Sequence, residues 1–318
     1  MDMAGNGQIT ASKNMKEGNS ALFEFEIPLP DARLKDQAER LVGFKARYDR
    51  MHQDLRLLID KEGLENWSKK HYHARIPLLD ALLDRYPLVI FHGDVGTGKT
   101  ATAEAASNGI AKELGKEAML FKLSTRVRGS GNVGEMSTLI NQAFEIVGKE
   151  AGKARLSFLI IDEADSLAAS RSGNQSHHED KVAVNTLIQK IDDVRRFNGR
   201  VLVILCTNRY EALDPAIVRR AAYVEEFRRP DDNERREILN LDCQGLGLSA
   251  PTIEELVKLT GPHGLHKLGY TFSDIRTRLL PEALAQAYPT RKLNHADLIE
   301  AISRVAPSPA MKTSEARV

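Results

Sequence analysis

The stretch Gly93-Asp94-Val95-Gly96-Thr97-Gly98-Lys99-Thr100 decides how this sequence is read. It follows the apolar run Leu88–Phe91 directly and leads into a helical pattern near 99–114, the strand-then-helix setting in which a glycine-rich loop cradles phosphate. The glycines permit a backbone curl whose amides point at phosphate oxygens, and the helix N-terminus adds partial positive charge. Gly93, Val95, Gly96, Thr97, Gly98, Lys99, Thr100 and Ala101 are the expected nucleotide contacts. Lys99 is expected to bridge the β- and γ-phosphates of ATP and Thr100 to offer its hydroxyl to Mg2+.

Working outward, Met119–Leu123, Phe158–Ile161, Val201–Cys206 and Tyr223–Phe227 are further short apolar runs, alternating with helical patterns near 135–148, 179–196 and 211–221. That rhythm predicts an α/β fold in which a five-stranded parallel sheet is flanked by helices. After Pro230 the strand-like runs stop, and Asn233–Leu241, Thr252–Leu259, Thr271–Tyr288 and Ala296–Val305 read as the helices of an all-helical lid. Ahead of the loop, Leu22–Ile27 alternates apolar with acidic residues, as a half-buried strand does. From Asp31, an N-cap candidate, apolar residues then recur at helical spacing until Gly63. One long amphipathic helix is expected there, packed on the chain's own core, with docking of a partner as the alternative. The expected divisions are an N-terminal arm and helix over 1–75, a large α/β subdomain over 76–229, a helical lid over 230–306 and a frayed tail over 307–318.

The run Phe158–Ile161 ends in Asp162-Glu163, two carboxylates at the C-terminal end of a strand, where doubly wound sheets bind ligands. Asp162 is expected in the magnesium shell. Glu163 is the candidate that polarises the attacking water, which needs a carboxylate beside the metal but free of it. Asp162-Glu163-Ala164-Asp165 also spells a helicase box, but the remaining chain has no room for a second domain of that kind. Thr207-Asn208 ends the fourth run, where Asn208 can reach between the γ-phosphate and the water. Arg219 and Arg220 close a short helical pattern; adjacent arginines read either as a solvated face or as fingers offered to a neighbouring subunit's nucleotide.

Lys+Arg 45 against Asp+Glu 44 in 318 residues leaves a formal charge of +1, too little for a whole-molecule field that holds nucleic acid or an anionic membrane. No run approaches the roughly 18 apolar residues of a membrane span, and the first residues lack the basic and apolar regions of a signal peptide. A cytoplasmic protein is expected. Cys206 and Cys243 stand far apart without metal-ligand spacing, so neither a disulfide framework nor a zinc site is expected.

In this order and spacing the elements resemble an AAA+ ATPase over residues 85 to 305: Walker A at Gly93–Thr100, Walker B at Phe158–Glu163, sensor 1 at Asn208, and fingers before the fifth strand. Within that class the chain resembles the pachytene-checkpoint remodellers of HORMA-domain proteins and their bacterial relatives from CBASS anti-phage systems. Asp162–Leu167, Val184–Asp192 and Ile217-Val218-Arg219-Arg220-Ala221 carry that resemblance. It implies that Arg220 is the main finger with Arg219 beside it, and that Arg276, in Gly269–Arg276, is a sensor 2 reaching the phosphates from the lid. It also implies a homohexamer gripping its client with pore loops. Asn132, Val133 and Gly134 fall at the first loop, without the usual aromatic grip, and His177 and His178 at the second.

The reading expected is a ring-forming Mg2+-ATP-dependent remodeller of a HORMA-domain partner that disassembles its complexes and regulates anti-phage signalling, with no direct nucleic-acid binding. The alternatives are a DNA-linked switch of the clamp-loader or initiator type, and a scaffold that binds ATP without useful turnover. The near-zero charge argues against the first, and Glu163, Asn208 and Arg220 together argue against the second.

Overall fold

The computed structural model describes residues 22–124, 135–168, 178–262 and 265–310. Its strands are β1 (Phe23–Leu29), β2 (Leu88–Gly93), β3 (Ala118–Leu123), β4 (Leu156–Ile161), β5 (Val201–Thr207) and β6 (Tyr223–Phe227), joined in one sheet in the order β1-β3-β4-β5-β2-β6. The five expected strands are all parallel to one another, with Phe121 opposite Leu159, Leu159 opposite Val203 and Ile90 opposite Leu205. A sixth strand was not foreseen in the sheet: β1 closes its edge, antiparallel to β3. Its alternating burial fits that edge place, since only one face of β1 meets the core.

The central strands are apolar over most of their length because both faces are covered. Ile90, Leu159, Ile161, Val203 and Leu205 pack against Ile140 and Phe144 of α6 (Glu135–Gly152) and Leu187 and Ile191 of α7 (His178–Asp193). Phe91, Phe158, Ile160, Ile204 and Cys206 meet Ala103, Ala106 and Ile110 of α5 (Lys99–Leu114), with Met51 and Leu55 beyond them. Each fully buried Val, Leu, Ile, Phe or Met among them contributes about 1.5–3 kcal/mol by leaving water.

The expected single N-terminal helix is three: α1 (Ala32–Arg40), α2 (Phe44–Ile59) and α3 (Lys61–Tyr72), followed by the short α4 (Leu78–Leu83). Asp31 caps α1 through the amides of Arg33 and Leu34, as expected. The break falls at Leu41-Val42-Gly43, where Gly43 takes φ 72°. Its physical reason lies in the lid: Val42 leaves the helical path and is buried among Ile238, Leu256, Tyr270 and Leu298. Gly63 does not stop a helix but sits inside α3. The N-terminal region supplies a sheet edge, part of one core face and an anchor for the lid.

The lid comprises α9 (Asp232–Asp242), α10 (Ala250–Leu259), a π-helical turn Asp274–Leu279, α11 (Leu280–Ala287) and α12 (His295–Arg304). Near 211–221 the expected helix shrinks to a 3-10 turn, Tyr210–Ala212, and the four residues of α8 (Pro215–Val218), capped by Asp214 on the amide of Ala216. The segment expected to fray is pinned at its start: Ser308 gives its N–H and hydroxyl to the buried Asp274 at 3.0 and 2.6 Å.

Candidate active site

The loop between β2 and α5 is closed on itself before any ligand enters. Gly93 takes φ 136°, and a Cβ there would lie 2.0 Å from the carbonyl oxygen of Phe227, so only glycine fits. Lys99 reaches back to the carbonyls of Gly93 and Asp94 at 3.0 and 2.7 Å, while Thr97 Oγ1 donates to the Asp94 carbonyl at 2.7 Å. Burial holds the Lys99 ammonium below its ordinary range, with Asp162 and Asp94 among the groups pulling the other way. The fit to polyphosphate is in this chemistry: a nearly buried ammonium whose present partners are neutral carbonyls, beside the amides that open α5.

Thr100 Oγ1 donates to Asp162 Oδ2 at 2.8 Å, joining the start of α5 to the end of β4. Asp162 Oδ1 accepts the Glu163 amide at 2.9 Å. Glu163 is exposed and takes φ 49°, a left-handed conformation unusual for a side-chain-bearing residue and common at functional sites. Ser166 holds that turn, its amide and hydroxyl both donating to the Glu163 carbonyl at 2.9 and 2.7 Å.

Asn208 is half-buried at the end of β5, immediately after Thr207, which lies opposite His92 of β2. Sequence reasoning treated Thr207 as a companion; the structure gives it a distinct task. It is fully buried, donates to Asp165 Oδ1 at 2.7 Å and accepts the Arg209 amide at 3.0 Å, fixing the backbone on either side of Asn208 to the turn that carries Glu163. His92 was missed altogether. Its ring stacks on Tyr210 at 4.4 Å between centroids, and burial shifts its pKa down, which favours the neutral form one residue ahead of the phosphate loop.

Two arginines stand elsewhere than beside these groups. Arg220 grips Asp192 with Nε and Nη2 at 2.6 and 3.0 Å, donates from Nη1 to the Ala216 carbonyl at 2.9 Å and lies 5.3 Å from the Tyr86 ring centre. Arg219, just beyond α8, is exposed. Ala222 donates its amide to Leu88, so this corner lies at the start of β2, whereas the phosphate loop leaves from its end. At about 3.3 Å per residue the two are about 16 Å apart, too far for either arginine to serve its own chain's loop.

Arg276 does not point at the loop as a sensor 2 would. Its Nε and Nη2 pair with Asp242 at 2.6 and 3.1 Å, and Nη1 donates to the Arg40 carbonyl at 2.9 Å. The lid instead touches the loop through Ser273, whose amide donates to the Gly96 carbonyl at 3.1 Å. A Cβ on Gly96 would lie 2.8 Å from both Ser273 Cβ and Thr271 Oγ1, so close is that approach. Asn132, Val133, Gly134 and His177 lie outside the described residues, and His178 is the first residue of α7. Cys206 is core, its thiol pushed up by burial.

A glycine loop opening a helix, a polar residue at the end of the neighbouring strand β5 and an acidic pair at the end of the next, β4, define a P-loop nucleotide-binding domain with a helical lid. Residues 89–229 match the family described as "ATPase family associated with various cellular activities (AAA)". CD-NTase-associated protein 6 of Escherichia coli strain KTE188 is 53% identical over 92% of this chain and 98% of its own length. The protein of the same name from strain MS 115-1 is 40% identical, over 93% and 98%. Among solved structures, the "HORMA:CdnC:Trip13 complex" of E. coli MS115-1 contains a chain superposing with a TM-score of 0.84 at 40% identity, covering 92% of this chain and 98% of that one. Trip13 of Rhizobiales gives 0.69 at 35% identity, over 91% and 100%. C. elegans PCH-2, at 17% identity and 0.64 over 88% and 74%, shares the fold.

The chain belongs to the AAA ATPase family and groups with CD-NTase-associated protein 6 and the bacterial Trip13 proteins. It is an ATP-hydrolysing enzyme. Among the described residues no helix is long and apolar enough to cross a membrane.

Proposed function

We propose that this protein assembles into a homohexameric ring and uses Mg2+-ATP hydrolysis to remodel a HORMA-domain protein, disassembling its complexes and so regulating anti-phage signalling. One observation carries the choice of client: a chain 40% identical over nearly its full length is part of a HORMA:CdnC:Trip13 complex, and this chain superposes on it with a TM-score of 0.84.

The site supports the same reading. Thr100 and Asp162 are the residues that would hold Mg2+, which supplies charge neutralisation at the phosphates. Lys99 binds phosphate, Glu163 orients and deprotonates the water, and Asn208, braced by Thr207, positions it. Arg220 or the exposed Arg219 completes the neighbouring subunit's site, a reading supported by their place at the opposite end of β2 from their own loop. Arg276 joins the phosphates only after leaving Asp242, which makes closure of the lid part of ATP binding. The divisions 1–75, 76–229, 230–306 and 307–318 are assigned as working subdomains, with β1 and Val42 tying the first to the other two. Asn132, Val133, Gly134, His177 and His178 are assigned to the client-facing loops.

The test is the Glu163→Gln protein, mixed with Mg2+-ATP and the HORMA-domain protein encoded nearest its gene, and weighed by native mass spectrometry. A ring carrying that partner supports the reading, and a ring that ignores it removes the HORMA client.

A further inference from the structure

Arg229 is the last residue before Pro230 and stands where the α/β body passes into the lid. Its guanidinium is shared among three segments: Nε donates to Asp94 Oδ2 at 2.6 Å, Nη1 to the Gly269 carbonyl at 2.6 Å and Nη2 to the Ser308 carbonyl at 2.8 Å. The pair is well shielded, with 14% of the Arg229 side chain and 17% of that of Asp94 exposed. The circuit continues through Ser308, which is bonded to Asp274; Asp274 accepts the Thr271 amide at 3.0 Å, and Thr271 Oγ1 faces Gly96. One guanidinium thus joins the phosphate loop, the lid and the segment around Ser308.

Asp94 is a carboxylate inside the loop that receives the polyphosphate of ATP. Solvent screens so shielded a charge poorly, and unless balanced it repels the ligand. We propose that Arg229 is a positioning residue for ATP: it neutralises Asp94 and holds the phosphate loop against the lid and the segment around Ser308. The same contact explains how an acidic residue is tolerated at that place in the loop.

The test compares the full-length wild type with Arg229→Gln, Asp94→Asn and the double variant, using titration with a fluorescent N-methylanthraniloyl ATP and Mg2+ alongside steady-state KM and kcat. Arg229→Gln is expected to weaken binding and raise KM about tenfold or more, with kcat falling much less. Asp94→Asn binds as tightly as wild type or more tightly, and the double variant returns to within about threefold of wild type. Wild-type affinity in Arg229→Gln, or a double variant as weak as Arg229→Gln, overturns the proposal. Should Arg229→Gln fail to fold, Asp94→Asn alone decides: equal or tighter binding supports the proposal and weaker binding overturns it.

Discussion

Thr100 Oγ1 donates to Asp162 Oδ2 at 2.8 Å, a contact between residues 62 positions apart that brings the start of α5 onto the end of β4. Parallel pairing of β2 with β5 and of β5 with β4 sets this meeting, because it brings the C-terminal ends of all three strands to one edge. Thr100→Val keeps the shape and removes the hydroxyl. It is expected to lower Mg2+-dependent turnover by at least about 10- to 100-fold while nucleotide binding without metal persists, whereas Thr100→Ser keeps activity. Phosphate release with and without excess Mg2+ measures both.

Arg220 is held by Asp192 at the far end of β2 from the loop, and the proposed ring gives it work on a neighbouring subunit. Arg220→Ala is expected to bind ATP normally and to lose about 10³- to 10⁵-fold in turnover. Mixing it with Glu163→Gln subunits, which keep the finger, restores a fraction of the activity in rings containing both. Absence of recovery at every mixing ratio contradicts action between subunits. Arg219→Ala run in parallel measures how the work divides between the two arginines.

Val42 anchors the N-terminal helices in the lid core. Val42→Ala is expected to cost about 2 kcal/mol, lowering the urea midpoint of the transition that reports on lid unfolding. An unchanged midpoint contradicts the anchoring role.

Asp297 caps α12 from its N3 position and accepts two hydrogen bonds from Arg291, which hold its carboxyl down at about 2 against an ordinary value of 3.8. The carboxylate is favoured by folding, so its contribution is fully present above about pH 4 and is lost as pH falls toward 2. Thermal unfolding of wild type and Asp297→Asn at stepped pH checks this. The gap between them should be widest near pH 5 and shrink toward pH 2, and a gap independent of pH contradicts the assignment.

What the sequence made legible is what local chemistry encodes. Glycines with a lysine between a strand and a helix, and an apolar run ending in Asp162-Glu163, each carry their geometry within a few residues. Non-local pairing was hidden. The alternation of Leu22–Ile27 marks a strand but not its partner, and β1 joins β3 across nearly a hundred intervening positions. The apolar spacing from Leu34 through Leu41 to Met51 passes smoothly over the bend at Val42, because a residue that leaves one core for another remains apolar. Side-chain partners were the least visible: that Arg276 rests on Asp242, and Thr207 on Asp165, depends on turns far apart in the chain.

The most direct measurement uses a preformed complex of the HORMA-domain protein with its bound partner, followed by fluorescence anisotropy of the labelled partner as this protein and Mg2+-ATP are added. The account predicts release with the wild type, and retention both with Glu163→Gln and when ATP is replaced by a non-hydrolysable analogue. A complex that persists while wild-type ATP turnover proceeds, or that falls apart equally with Glu163→Gln, contradicts it.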